Sequence, residues 1–153
     1  MKTLARERDK AEIVRRLRVV GPESARRWGR MTAHQMVCHL SDGYRLLTGE
    51  RTTRLAPSPL PRPLMKCVAL YVPVRWPRGI PTTPELDQCS GGTRPASFDA
   101  DLAELRGLVD RIAVERRGHL AGVLHPIFGQ MSGRAWLRWA YLHTDHHLRQ
   151  FGL

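Results

Sequence analysis

Two imidazoles four residues apart, His143 and His147 in the closing stretch HTDHHLRQ, carry the clearest chemical signal in this chain. On a helix, side chains at i and i+4 stand one above the other with Cβ atoms about 5–6 Å apart, so both rings can aim a nitrogen at one metal ion at about 2.0–2.1 Å. Advancing by about 100° per residue puts the pair on one face with Trp136, Trp139, Ala140, Gln150 and Phe151, opposite Arg134, Arg138, Asp145 and Arg149. The histidines therefore fall on the face that should bury apolar surface. From spacing alone two readings stand level: a chelating pair, or core-edge histidines each satisfied by a hydrogen bond. A third ligand would separate them.

His39, in MTAHQMVCHLSDGYRLLTGE, is the candidate third ligand. Thr32 followed three residues later by Gln35 reads as a capping box, which predicts a helix from there to about Leu47, ended by Gly49. On that helix His39 shares a face with Gln35, Met36, Gly43, Leu46 and Leu47, and His34 projects the other way with Ser41 and Arg45. His39 is expected to point inward and His34 outward. Three neutral imidazoles from opposite ends of the chain would make a three-histidine site with a free coordination position, which leans catalytic, since structural zinc usually takes four protein ligands.

At these residues the chain resembles a known group. A histidine in an early helix, then H-x-x-x-H near the C-terminus with a glutamine three residues on, is similar to the DinB-like (YfiT-type) superfamily of four-helix metalloproteins. HPIFGQMSGRAWLRWAYLHTDHHLRQFGL, beginning at His125, resembles the end of a bacterial branch of it, and so does the stretch from His34 to Asp42. The resemblance implies an all-α, up-down-down-up four-helix bundle holding a divalent metal through His39, His143 and His147, with Gln150 behind a ligand. It further implies a low-molecular-weight-thiol S-transferase, after relatives that use bacillithiol or mycothiol. A metal-dependent hydrolase is the enzymatic alternative, and a non-catalytic metal-binding or stress-response module the alternative of another class. Zinc or nickel suits imidazole ligands.

Around the proposed metal, Asp42 one turn from His39 and His146 beside the closing pair are candidates to orient a ligand or accept a proton. Asp42 has the plainer option of pairing with an arginine, and His146 of sitting half exposed. His125, before Pro126, either approaches the site or fixes a turn. Trp136 and Trp139 are expected in the core. No Ser-His-Asp arrangement, phosphate loop or dinucleotide fingerprint is present.

The 153 residues suit a single domain spanning 1–153, large enough to bury a core without disulfide or structural metal. Cys38, Cys67 and Cys89 are odd in number without C-x-x-C spacing, as for reduced thiols in a cytoplasm. The N-terminus lacks an apolar segment, and the apolar run from Leu64 to Val74 is broken by Lys66 and too short for a bilayer. The formal net charge of +11 invites a nucleic-acid reading. However, the 25 basic residues include only 3 lysines, leaving 22 arginines dispersed in twos and threes, with no nucleic-acid motif. The expected partner is a small molecule, a low-molecular-weight thiol among the options, with a homodimer also open; membrane and nucleic acid are not expected.

The elements that must position these residues follow from periodicity and punctuation. A first helix is expected over Ala5 to Val20, carrying Ile13, Leu17 and Val20 up to Gly21-Pro22. Residues 51–63 are proline-rich and read as an extended connector, followed by a short helix from Leu64 to about Val72. Trp76 to Pro95 reads as a long irregular loop, long enough to be a movable wall over the site. Ser97, with Asp99 and Asp101, starts a helix through about Arg117, HPIFGQM is a turn, and Ser132 caps the last helix. No strand pair is expected.

Overall fold

The computed structural model describes residues 1–114 and 123–153. Among these the chain is helical, with α1 (Glu7–Leu17), α2 (Ala33–Thr48), α3 (Arg62–Tyr71), α4 (Phe98–Val114) and α5 (Gly133–Gln150), plus a 3₁₀ turn at Pro84–Leu86. The helix ends have local causes. The Thr32 hydroxyl accepts from the Gln35 N–H at 3.1 Å while the Gln35 amide oxygen accepts from the Thr32 N–H at 2.9 Å, so two orphan donors at the start of α2 are satisfied reciprocally. Gly49 closes α2 in the left-handed conformation, φ 80°. Ser132 accepts from Ala135 N–H to start α5, and Asp99 and Asp101 complement the dipole at the start of α4.

The first helix, Glu7–Leu17, is shorter at both ends than the expected Ala5 to Val20, and the start of the third differs as well. The helix α3 begins at Arg62, inside the proline-rich stretch, because Pro63 in the first turn has no N–H to lose and a φ already set for a helix. The part of the fourth helix expected beyond Val114, to Arg117, lies outside the described residues. A correction concerns HPIFGQM: it is a turn, as expected, but it also closes a strand pair, β1 (Leu124–His125) with β2 (Gly129–Gln130), antiparallel. Two residues per strand are too few for an alternating pattern to show in the sequence.

The helix α2 packs against α4, α5 and the 3₁₀ turn, α1 packs against α4 and α5, and α3 leans on α5. The shared interior is apolar: Ile13 and Leu17 of α1, Met36, Leu40 and Leu47 of α2, Leu105 and Val109 of α4, and Trp136 and Ala140 of α5. Polar ties sit at the seams. Arg16 reaches Asp145 at 2.7 Å between α1 and α5, Tyr44 and Thr144 hydroxyls meet at 2.9 Å between α2 and α5, and His34 meets Asp101 at 2.6 Å between α2 and α4. No described helix is long and apolar enough to cross a membrane.

Candidate metal centre

The α2–α5 seam brings the three expected histidines together. Each offers a ligand nitrogen, and these atoms lie within 4.8 Å of one another. The ring centroids form a near-equilateral triangle, 5.0 Å from His39 to His143, 4.7 Å from His39 to His147 and 4.8 Å from His143 to His147, with the planes steeply inclined. The Nε2 atoms of His39 and His143 are 3.1 Å apart. Two nitrogens each about 2.0–2.1 Å from one tetrahedral ion would be separated by about 3.3 Å, so the spacing fits a shared metal.

The tautomers fit as well. Nδ1 of His39 lies 2.9 Å from the Leu86 carbonyl, which can only accept, so Nδ1 carries the proton and Nε2 keeps its lone pair. Nδ1 of His147 lies 2.9 Å from the Gln150 side-chain oxygen, while the Gln150 amide nitrogen donates to the Trp28 carbonyl at 2.9 Å. That second bond fixes which end of the amide faces the imidazole, and His147 is thereby held with Nε2 bare. Both ligands thus have the acceptor behind them that metal-binding histidines require. Burial holds the pKa of His39 below its ordinary value, and those of His143 and His147 well below, the latter two also through the neighbouring histidines. Near neutral pH all three are neutral and able to bind a cation.

Packing sets the remaining geometry. Trp139, one turn before His143, stacks on its ring at 4.6 Å and 17°. Gly43 permits this: a Cβ there would lie 3.2 Å from Trp139 and 3.3 Å from His143. The expected inward glycine is thus a slot for the ligand's own ring. Gly29, at φ +80°, passes so close to Gln150 that a Cβ would meet its amide nitrogen at 2.4 Å. The sequence offered no signal for Gly29, for the Trp28 carbonyl or for the Leu86 carbonyl, because a backbone acceptor can be contributed by any residue type.

The other candidates have different places. Asp42 is fully buried, but its carboxylate is saturated: Arg45, Arg51 and the Thr93 hydroxyl meet Oδ1 at 2.9, 2.6 and 2.7 Å, and Gln88 and the Thr93 N–H donate to Oδ2 at 3.0 and 2.8 Å. It has no lone pair left for a substrate proton; its work is to fasten the 76–95 loop to α2. That fastening lays this stretch of the loop against α2, with Leu86 and Gln88 buried and the Leu86 carbonyl set against His39. His125 fixes a turn: its Nδ1 accepts from the N–H groups of Ile127 and Phe128 at 3.1 and 3.2 Å. Burial pushes its pKa down to about 3, and it touches the centre only through Trp139, 5.0 Å away ring to ring. His146 is half buried against Trp28 and Trp76, with its ring 5.2 Å from that of His147. His34 keeps partial exposure on the outer side of α2, with Asp101 and Phe98 of α4 packed against it.

Among the described residues no carboxylate or thiol joins the three histidines within ligand reach. The ligand atoms of His34, Cys38 and Asp101 also lie within 4.8 Å of one another. Burial and the Asp101 charge push the Cys38 thiol up to about 12, however, and Asp101 already holds His34 and the Ala96 N–H. It acts as a hydrogen-bonded tie between α2 and α4. Two cavities are prominent, one of about 620 Å³ beside Arg62, Lys66 and Phe128 and one of about 310 Å³ beside His146. Neither has a ligand histidine in its wall, and His143 alone of the three keeps partial exposure.

No family model, curated protein or solved structure matches this chain.

Proposed function

We propose that the chain is a DinB-like metalloenzyme that acts on a small molecule at a divalent ion, zinc or nickel, held by His39, His143 and His147. The observation that carries the reading is the convergence of three neutral imidazoles, two of them locked with Nε2 bare by Leu86 and Gln150, with no fourth protein ligand in reach among the described residues. The Nε2 atoms of His39 and His143, 3.1 Å apart, can share one proton between them, and a bound ion would take that proton's place. The ring of contacts that α1, α4, α2 and α5 make around the apolar interior supports the up-down-down-up four-helix bundle of that superfamily.

When bound, such an ion would lower the pKa of a coordinated thiol or water and so supply a nucleophile near neutral pH. The chain's own part is positional. Leu86 and Gln150 hold two rings in register, Trp139 fixes the third, and the partly exposed edge of His143 is the side from which a ligand arrives. Low-molecular-weight-thiol S-transfer is the leading reaction class, by resemblance. The test is elemental analysis of tag-free protein reloaded with zinc or nickel, where about one ion per chain is expected, followed by a screen of electrophiles with bacillithiol, mycothiol or glutathione. Less than a tenth of an equivalent of metal would overturn the reading. Turnover without any thiol would move it to the hydrolase.

A further inference from the structure

Against the side of His146 away from the interior lies the 310 Å³ cavity, walled by Arg27, Trp28, Arg75, Trp76, Arg78 and Arg149. Its size suits a small molecule. Its charge is one-sided. Of the wall arginines, Arg149 meets Asp145 at 2.9 Å, a carboxylate it shares with Arg16 at 2.7 Å. Arg75 and Arg78 make no ion pair or hydrogen bond with any described residue, and the Arg78 guanidinium lies over the Trp28 ring at 4.5 Å. Arginines that line other folds of the surface are tied down, Arg45 and Arg51 to Asp42, Arg111 to Glu50 and Arg62 to three carbonyls, whereas Arg94 and Arg134 stand free on open, exposed surface among the described residues. Guanidinium groups gathered about a concavity repel one another, and an oxyanion bridging them relieves that repulsion through charge-assisted hydrogen bonds. The ring of His146 completes the wall on the side of the interior. The two indoles supply the apolar flanks that an inorganic ion would not use.

We infer that this cavity binds a small organic oxyanion, a phosphate monoester or carboxylate carried on an apolar or aromatic body. Its position gives the site a use. The ring of Trp76 stands 6.0 Å from His146 and 6.4 Å from His143, so one aromatic ring separates the cavity from the histidine centre. That the bound anion is also the substrate handled at that centre rests on the metalloenzyme reading above; the anion site itself does not.

The experiment is a titration of tag-free protein, chelated and zinc-loaded, with phenyl phosphate, benzoate and inorganic phosphate, following calorimetry and the fluorescence of the wall tryptophans. Saturable binding is expected for phenyl phosphate or benzoate, at least about tenfold tighter than for inorganic phosphate, and whichever of the two binds better identifies the headgroup. Arg75→Gln/Arg78→Gln should weaken it by at least about tenfold, since each lost charge-assisted hydrogen bond is worth about that factor. The control pair Arg94→Gln/Arg134→Gln, which removes the same charge from exposed sites, should change it by less than about twofold. Unfolding midpoints guard against misfolded variants. Absence of saturation with any probe, or equal loss in the control pair, overturns the inference, the latter by assigning the binding to diffuse positive potential. Because metal content is measured on the same samples, anion binding without metal binding sinks only the metalloenzyme reading, and the converse sinks only the anion site.

Discussion

At the scale of single residues, the clustered histidines differ from His34 and His125 in which nitrogen each leaves free. His125 spends Nδ1 on two backbone donors, and His34 spends Nε2 on Asp101, whereas His39 and His147 spend only the nitrogen facing away from the cluster. His39→Ala, His143→Ala and His147→Ala are each expected to abolish tight zinc binding, and His34→Ala to leave the stoichiometry near one, as measured by elemental analysis of reloaded protein. Equal damage from His34→Ala would mean that the metal sits elsewhere. Gln150→Ala removes an orienting acceptor and no ligand, so zinc should still bind but about 10–100-fold more weakly, readable by competition with a chelator of known affinity. The ligand set was legible in the sequence because i, i+4 spacing and helix phase fix which side chains share a face. The role of Asp42 was not, since it depends on donors distant in sequence, Thr93 and Gln88; for His125 the turn was one of two readings, and its near neighbours Ile127 and Phe128 supply the donors that select it.

Among the elements, the loop after α3 decides how well the centre is built. It approaches α2 because Asp42 gathers donors from Gln88 and Thr93 as well as from Arg45 and Arg51, and this delivers the Leu86 carbonyl to His39. Asp42→Ala would leave the buried Arg45 and Arg51 charges without their shared partner, a change that costs about 3–5 kcal/mol in comparable buried pairs, less here because both guanidiniums are partly exposed. The expected signature is a lower urea midpoint together with faster proteolysis within 76–95 and weaker zinc binding, all without loss of a ligand. Unchanged proteolysis would show that the loop is held by other means. Gly43→Ala tests the opposite face of the same helix: alanine favours the helix, yet its methyl must displace Trp139 or His143, so metal affinity should fall while helicity by circular dichroism does not. Helix identities and caps were readable because Thr32, Gly49, Ser132 and the acidic start of α4 are local signals. The path of the 76–95 loop and the two-residue strands were not, because nothing local encodes a long-range hydrogen bond or a ladder that short.

Taken as a whole, the molecule concentrates neutral histidines in an interior that is otherwise apolar, and its stability should record this in its response to pH. Burial lowers the pKa of His39, His125, His143, His146 and His147 below the ordinary histidine value, that of His125 to about 3. Between those lowered values and about 6.5 the unfolded chain therefore binds protons that the folded chain refuses. Stability from these groups is fully present above about 6.5 and is lost as pH falls below it, each group steepening the slope by up to about 1.4 kcal/mol per pH unit. The carboxylates with lowered pKa, Glu12, Glu85 and Asp101, add their own loss only at more acid pH, below their ordinary range. Chelated protein is thus expected to show the same urea midpoint at pH 8 and 7 and a falling one from pH 6.5 to 5. Protons and zinc compete for the same nitrogens, so zinc should raise the midpoint strongly at pH 7.5 and progressively less toward pH 5. A midpoint that rises on acidification, or a zinc increment that does not shrink with it, would show that these histidines are not the neutral, metal-competent cluster their burial implies.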